Sequence, residues 1–265
     1  MHSRALLPLV FLLAAAGHAA ADDLWEAGLG DDGSFTGNEL RHATRQASHD
    51  FDGVDADWAV VVVQARRSYE ARAGSGNAAW QVAPPAPECV GCARIDRVNA
   101  DGTILTAGEA DSGVLGNTSL TFGTSASVRW TAAADGQEYV RVLGQSNIHE
   151  TYDLEFFDTS YLIPRFNNSG SQVTVILVQN GYRAAVDAQF HFYDSAGTLL
   201  HSQPLSVPVQ GNVVLITSTI GALQNASGTA VLSHDAPYGT LAGKAVALEP
   251  ATGFTFDTPM QAVPR

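Results

Sequence analysis

Val186-Asp187-Ala188-Gln189-Phe190-His191-Phe192-Tyr193, then Asp194-Ser195-Ala196-Gly197, then Thr198-Leu199-Leu200-His201-Ser202 is the stretch whose reading decides the fold. Two runs of strand-forming residues flank a four-residue turn signal. Aspartate accepts hydrogen bonds from its own turn, and glycine adopts the positive φ that such a turn requires. The segment therefore reads as a β-hairpin. Around it the same punctuation recurs. Gln172–Gln179, Leu205–Val209, Val213–Thr217, Gly228–Ser233 and Gly243–Glu249 are short apolar or alternating runs between Gly, Asn, Asp and Pro clusters. Seven strands in about 100 residues match the size of an immunoglobulin-like sandwich. The Cys…Trp…Cys pattern of antibody-type domains is absent from this half, and Thr219–Asn225 reads as one helical turn.

The first half repeats the pattern with other residues. Its runs are Trp58–Val63, Ser68–Ala73, Ile104–Thr106, Ser119–Phe122, Ser127–Thr131, Glu138–Leu143 and Tyr152–Phe157. Trp58–Val63 is continuously apolar, so a strand covered on both faces is expected there. Asn38–Ser48 reads as a short helix, Gly74–Cys92 as a long loop. Apolar stripes of helical period are nearly absent, which points to an all-β fold of two β-sandwich domains. The expected boundaries are a signal peptide over 1–21, a jelly-roll-like sandwich over 22–158 and an immunoglobulin-like sandwich over 159–265. No flexible spacer separates the halves near Thr159–Pro164, so the domains are expected to touch.

Met1–Ala21 carries His2 and Arg4 before an apolar stretch and ends in Ala19-Ala20-Ala21. Small residues before Asp22 are what a signal peptidase reads, so cleavage is expected between Ala21 and Asp22. The apolar run is too short for a bilayer, and no later stretch suits insertion after cleavage. A secreted or periplasmic bacterial protein is the expectation. The formal net charge is −13, and Lys244 is the one lysine. Such a surface argues against nucleic acid, whose phosphates need Lys and Arg.

Asp50-Phe51-Asp52-Gly53-Val54-Asp55-Ala56-Asp57-Trp58 leads into the apolar strand. Glu138-Tyr139-Val140-Arg141-Val142 and Tyr152-Asp153-Leu154-Glu155-Phe156 follow. This order resembles the bacterial pre-peptidase C-terminal domain, a jelly-roll-like sandwich attached to many secreted proteases and collagenases. The resemblance covers roughly residues 30–158 and departs in the Pro/Cys excursion between Gly74 and Cys92. The roughly 100 residues that follow are strand-patterned, so no peptidase is expected within them. Around Pro164-Arg165-Phe166-Asn167-Asn168 and Leu241-Ala242-Gly243-Lys244-Ala245, the second half resembles immunoglobulin-like modules of secreted bacterial proteins.

Asp50, Asp52, Asp55 and Asp57 place four carboxylates close together, with Gly53 allowing a sharp turn. Calcium wants six to eight oxygens, so these residues are the candidate Ca²⁺ ligands. Some pre-peptidase C-terminal domains bind calcium, and the resemblance implies the same here. The plainer alternative is that Asp55 and Asp57 cap a turn. Cys89 and Cys92 form a C-x-x-C without a helix to activate a thiol, so a local disulfide is preferred over redox catalysis. Gly144-Gln145-Ser146-Asn147 lacks the closing glycine of a nucleophile elbow. Six histidines after the leader are scattered without zinc-hydrolase spacing. Trp25, Trp80 and Trp130, with Tyr69, Tyr139, Tyr182 and Tyr193, are candidates for an aromatic platform or for core filling.

No catalytic residue emerges. The expected function is non-enzymatic binding or adhesion toward an extracellular polymer or protein ligand. The alternatives are a small secreted hydrolase of protein or polysaccharide, and a structural envelope component.

Overall fold

The computed structural model describes residues 25, 30, 32–51, 56–74, 80–81, 93–110, 122–123, 125–144 and 150–263. The first half supplies β1 (Glu39–Leu40), β2 (Thr44–Phe51), β3 (Ala56–Val63), β4 (Ser68–Gly74), β5 (Trp80–Gln81) and β6 (Arg94–Val98). It continues with β7 (Ile104–Ala107), β8 (Glu109–Ala110), β9 (Phe122–Gly123), β10 (Ser125–Thr131), β11 (Gly136–Leu143) and β12 (Glu150–Asp158). Two five-stranded sheets result, ordered β1-β3-β11-β6-β7 and β2-β12-β4-β10-β8, while β5 pairs β9. Strands distant in sequence are partners, β3 with β11 and β4 with β12, in a jelly-roll-like manner.

Strand alternation then builds the core. Ala59, Val61, Val63, Val140 and Val142 face Tyr69, Ala71, Val128, Trp130, Leu154 and Phe156. Tyr69 and Phe156 stack at 5.5 Å, and Trp130 packs against both.

The second half supplies β13 (Tyr161–Asn167), β14 (Val173–Asn180), β15 (Val186–Tyr193), β16 (Leu199–Val207) and β17 (Asn212–Ile216). It ends with β18 (Ser227–His234), β19 (Leu241–Glu249), β20 (Phe254–Pro259) and β21 (Gln261–Ala262). The sheets run β16-β15-β18-β13-β21 and β17-β14-β19-β20, an immunoglobulin-like sandwich. Phe166, Ile176, Phe190, Phe192, Leu223 and Leu232 are fully buried at its centre. The β15–β16 hairpin turns as its sequence implies. Asp194 Oδ1 accepts from the N–H groups of Ala196 and Thr198, and Gly197 sits at φ +83°.

Three expectations need correction. Asn38–Ser48 is not helical; it holds β1 and most of β2. Leu40 is its one apolar buried position, beside the polar Asn38 and Gln46, so the alternation escapes a hydrophobic reading. Gln46 donates to Asn38 Oδ1 at 2.6 Å, and Asn38 Nδ2 reaches the Trp58 carbonyl. β3 is not covered along its whole outer face, because Val62 is 58% exposed. Trp58 is buried, yet it lies outside the inter-sheet core, beneath the β6–β7 turn. Arg141 stacks over its ring at 5.6 Å. Gly102 in that turn holds φ +84°, and a Cβ there would meet Arg141 at 3.1 Å. Finally, the helical turn is two 3-10 turns, Thr217–Thr219 and Gly221–Leu223.

Only Thr159 and Ser160, both buried, separate β12 from β13. The sandwiches touch through the loop after β18, which lies on the outer face of the β2-β12-β4-β10-β8 sheet. Glu70, with no exposed surface, accepts from Arg129 Nε at 3.0 Å, Arg72 Nη2 at 3.3 Å and the Tyr238 backbone N–H at 2.9 Å. The Tyr238 ring stacks on Phe157 at 5.0 Å and meets His42 edge-on. The His234 N–H donates to Ser68 Oγ. This junction is buried and largely polar.

Candidate binding groove

Only some of the residues singled out from sequence lie among the described residues, and those are not brought together in one site. Asp50 lies on β2 and Asp57 on β3, in different sheets. Asp57 points into the sandwich, where its carboxylate accepts the Tyr152 hydroxyl. Asp52 and Asp55 lie outside the described residues, as do Cys89, Cys92, Ala21 and Asp22. Among the described residues, no three His, Cys, Asp or Glu side chains are grouped to hold a metal ion.

Around Asp57 the polar network continues. His49 stacks on Tyr152 at 4.9 Å, Trp25 stacks on His49 at 5.2 Å, and His49 Nε2 meets Gln46 Oε1. Trp25, Trp130 and Tyr69 are thus structural partners rather than an exposed row. Tyr152→Phe removes the hydroxyl donor from a buried carboxylate. It is expected to lower stability by about 1–3 kcal/mol, read as a lower urea midpoint at unchanged m.

His191 is the histidine closest to a catalytic setting. Its Nδ1 lies 2.9 Å from Ser202 Oγ and its Nε2 lies 3.3 Å from Ser233 Oγ. Burial, reinforced by the Arg66 charge, lowers its pKa to about 4. Such a ring is a poor general base at neutral pH, and among the described residues no carboxylate is hydrogen-bonded to it. The cleft between the sandwiches nearby, about 560 Å³, is lined by Val62, Arg66, Asp135, Tyr193 and Val231 and is wide open to solvent.

A more enclosed groove of about 350 Å³ opens along one side of the second sandwich. Its origin is topological. One sheet ends in β20, a six-residue edge strand, whereas the facing sheet ends in β21, which pairs only Tyr161 and Leu162 of β13. Beyond Leu162 the two sheets are not closed against each other. β13 bulges between Ile163 and Phe166, which carries Arg165 outward. Small side chains, Ala245 and Ala247 of β19, leave the space unfilled.

The walls are chemically mixed. On β20, Phe254, Phe256 and Thr258 share the side that faces the groove, since Thr258 and Phe256 pair with Ala245 and Ala247. Phe254 and Phe256 are 66% and 68% exposed. Across from them stand Arg165, Asn167 and Gln172. Asn167 Nδ2 donates to Gln172 Oε1, and its backbone N–H donates to Thr174 Oγ1 at 2.8 Å, fixing that wall. Asp257 is taken by Lys244 at 2.5 Å. Arg165 has no ion-pair partner among the described residues. The arrangement can grip a ligand with apolar and polar faces; among the described residues that line it, no nucleophile is hydrogen-bonded to a base.

The sequence reading missed this groove. It joins three separated segments, and β20 (Phe254–Pro259) is not among the strands read from the sequence. The available signal was Phe254-Thr255-Phe256, a short alternating run.

No family model matches the chain, and no curated protein is similar to it. Two solved structures, both of glycosyl hydrolase family 2 members from Bacteroides cellulosilyticus, are similar at 8% identity. They cover 88% and 80% of this chain with TM-scores of 0.23 and 0.19. The chain spans 28% of the length of each. At such scores the likeness carries no statement about activity.

Proposed function

We propose that the mature chain is a secreted, non-enzymatic binding protein that holds an extended extracellular polymer in the groove between β13 and β20. The observation that carries this reading is the exposed pair Phe254 and Phe256 beside Arg165, which has no ion-pair partner among the described residues. Large apolar side chains are seldom left this open without a partner to cover them. The expected loss of Met1–Ala21 places the protein in the periplasm or outside the cell. The resemblance of the first half to an accessory domain of secreted enzymes agrees with a binding role. The acidity of the chain directs the choice of ligand away from nucleic acid.

The test is retention of the purified mature chain on insoluble peptidoglycan, collagen and common polysaccharides. Retention on at least one is expected, and Phe256→Ser is expected to abolish it. Because Phe256 is largely exposed, that substitution is expected to change stability by less than about 0.5 kcal/mol. Retention unaffected by Phe256→Ser, or release of soluble fragments from the polymer, defeats the reading.

A further inference from the structure

The groove has a second property beyond its side chains: one wall is an open sheet edge. Met260 N–H donates to the Gly243 carbonyl at 3.0 Å, which fixes the phase of the β19–β20 ladder. Paired residues two positions apart share the same hydrogen-bonding role in an antiparallel ladder. Phe256 and Thr258 therefore direct their N–H and C=O groups to β19. Thr255 and Asp257 direct theirs outward, and among the described residues no strand receives them. Pro259, next in that outward series, has no N–H to leave unpaired. Natural sheets usually blunt such edges, as Pro259 does at one end here; at Thr255 and Asp257 the edge stays open, flanked by two exposed phenylalanines.

We infer that the occupant of this groove is an extended polypeptide that adds to β20 as a further strand. The inference rests on the groove being the binding site and specifies its ligand class. Three observations favour a peptide over other polymers. The outward N–H and C=O groups of Thr255 and Asp257 are spaced to pair with another backbone. Phe254 and Phe256, two residues apart, repeat at about 6.8 Å, the side-chain repeat on one face of any extended peptide. The seam already accepts one strand of this chain, since β21 pairs antiparallel with β13 where the groove begins. A guest on β20 presents alternate side chains to Phe254 and Phe256, so apolar residues are favoured there. Its carboxylate, from a side chain or the chain terminus, meets Arg165, a groove-lining cation with no ion-pair partner among the described residues. This is strand addition, in which the main chain supplies affinity and alternate pockets supply selectivity.

The experiment uses the full mature chain and a short peptide alternating valine and threonine with a free terminal carboxylate. Hydrogen exchange at the Thr255 and Asp257 amides is expected to slow on peptide addition, while the Phe256 amide, already paired with β19, is unchanged. Thr255→Pro deletes one outward N–H without touching the ladder to β19, and edge strands tolerate proline. It is expected to weaken peptide binding about tenfold, the loss of one main-chain hydrogen bond. N-methylation of the peptide is a second route to the same loss and leaves the protein intact. Three results overturn the inference: unprotected Thr255 and Asp257 amides with bound peptide, full affinity in Thr255→Pro, or protection that grows with protein concentration before peptide is added. The last assigns the edge to a second copy of this chain. If a polymer is retained in a Phe256-dependent way while these amides stay unprotected, the groove remains the site and strand addition fails. If Phe256→Ser has no effect on retention, the groove itself fails.

Discussion

Glu70→Ala is expected to lower the unfolding free energy by about 3 kcal/mol and to split one calorimetric transition into two. The magnitude follows from what the substitution strands. Glu70 is fully buried on the outer face of the first sandwich and satisfies Arg129, Arg72 and the Tyr238 backbone N–H together. Removing one member of a buried charge pair costs about 3–5 kcal/mol, because the remaining charge keeps its desolvation penalty. The lower end applies because Arg72 is 37% exposed and can return to water. The split follows from location. Glu70 holds the loop after β18, so its loss loosens the contact through which the sandwiches unfold together. Glu70→Gln keeps an acceptor for Tyr238 and is expected to cost about half as much. In Glu70→Ala/Arg129→Ala the stranded cation is gone, so the double variant is expected to be more stable than the two single losses summed. A Glu70→Ala protein within about 1 kcal/mol of the parent, melting in one transition, means the carboxylate is not the anchor.

That anchor shows where sequence reading reaches its limit. The β15–β16 hairpin is legible because its information is local: an alternating run, a turn aspartate and a glycine at positive φ all agree. Glu70 sits in Ser68–Ala73, a strand recognised from sequence. Yet its partners come from Arg129, and from Tyr238, 168 residues further along the chain in the loop after β18. Nothing in a one-dimensional pattern links them. β2 was hidden for a different reason. Its inward residues Gln46 and His49 are buried through hydrogen bonds instead of hydrophobicity, so the usual signal is absent. In β13 the proline and the bulge at Pro164-Arg165 resemble an interdomain link, although the strand passes straight through them. The groove combines both difficulties: its arginine comes from that bulge and its phenylalanines from a strand, β20, that the sequence reading did not include.

Lowering pH from 6.5 toward 4 is expected to destabilise the protein, with His234 at the junction carrying a contribution of roughly 3 kcal/mol. His234 is 3% exposed. Its Nε2 lies 2.8 Å from the Thr159 carbonyl, and its Nδ1 accepts the Ala236 N–H at 3.1 Å. The ring is therefore neutral, with its proton on Nε2. A second proton on Nδ1 would face an N–H. Burial is the dominant cause that lowers its pKa from 6.5 to about 4; Arg129 lowers it further, and Asp158 opposes. Unfolded His234 takes up its proton near pH 6.5, whereas the folded ring resists until about 4. The contribution is thus complete above 6.5 and is lost as pH falls through that window. His191 acts with the same sign. Asp96 and Asp235, whose pKa values are raised chiefly by burial, act with the opposite sign, because the folded state accepts their protons first. Total stability is therefore a blend, and the informative quantity is the difference between parent and His234→Gln. Urea midpoints at pH 7, 5.5 and 4.5 are expected to fall more steeply in the parent than in the variant. Parallel slopes would mean that the His234 ring is already protonated without cost. The junction between the sandwiches would then have to be held by the Glu70 cluster alone.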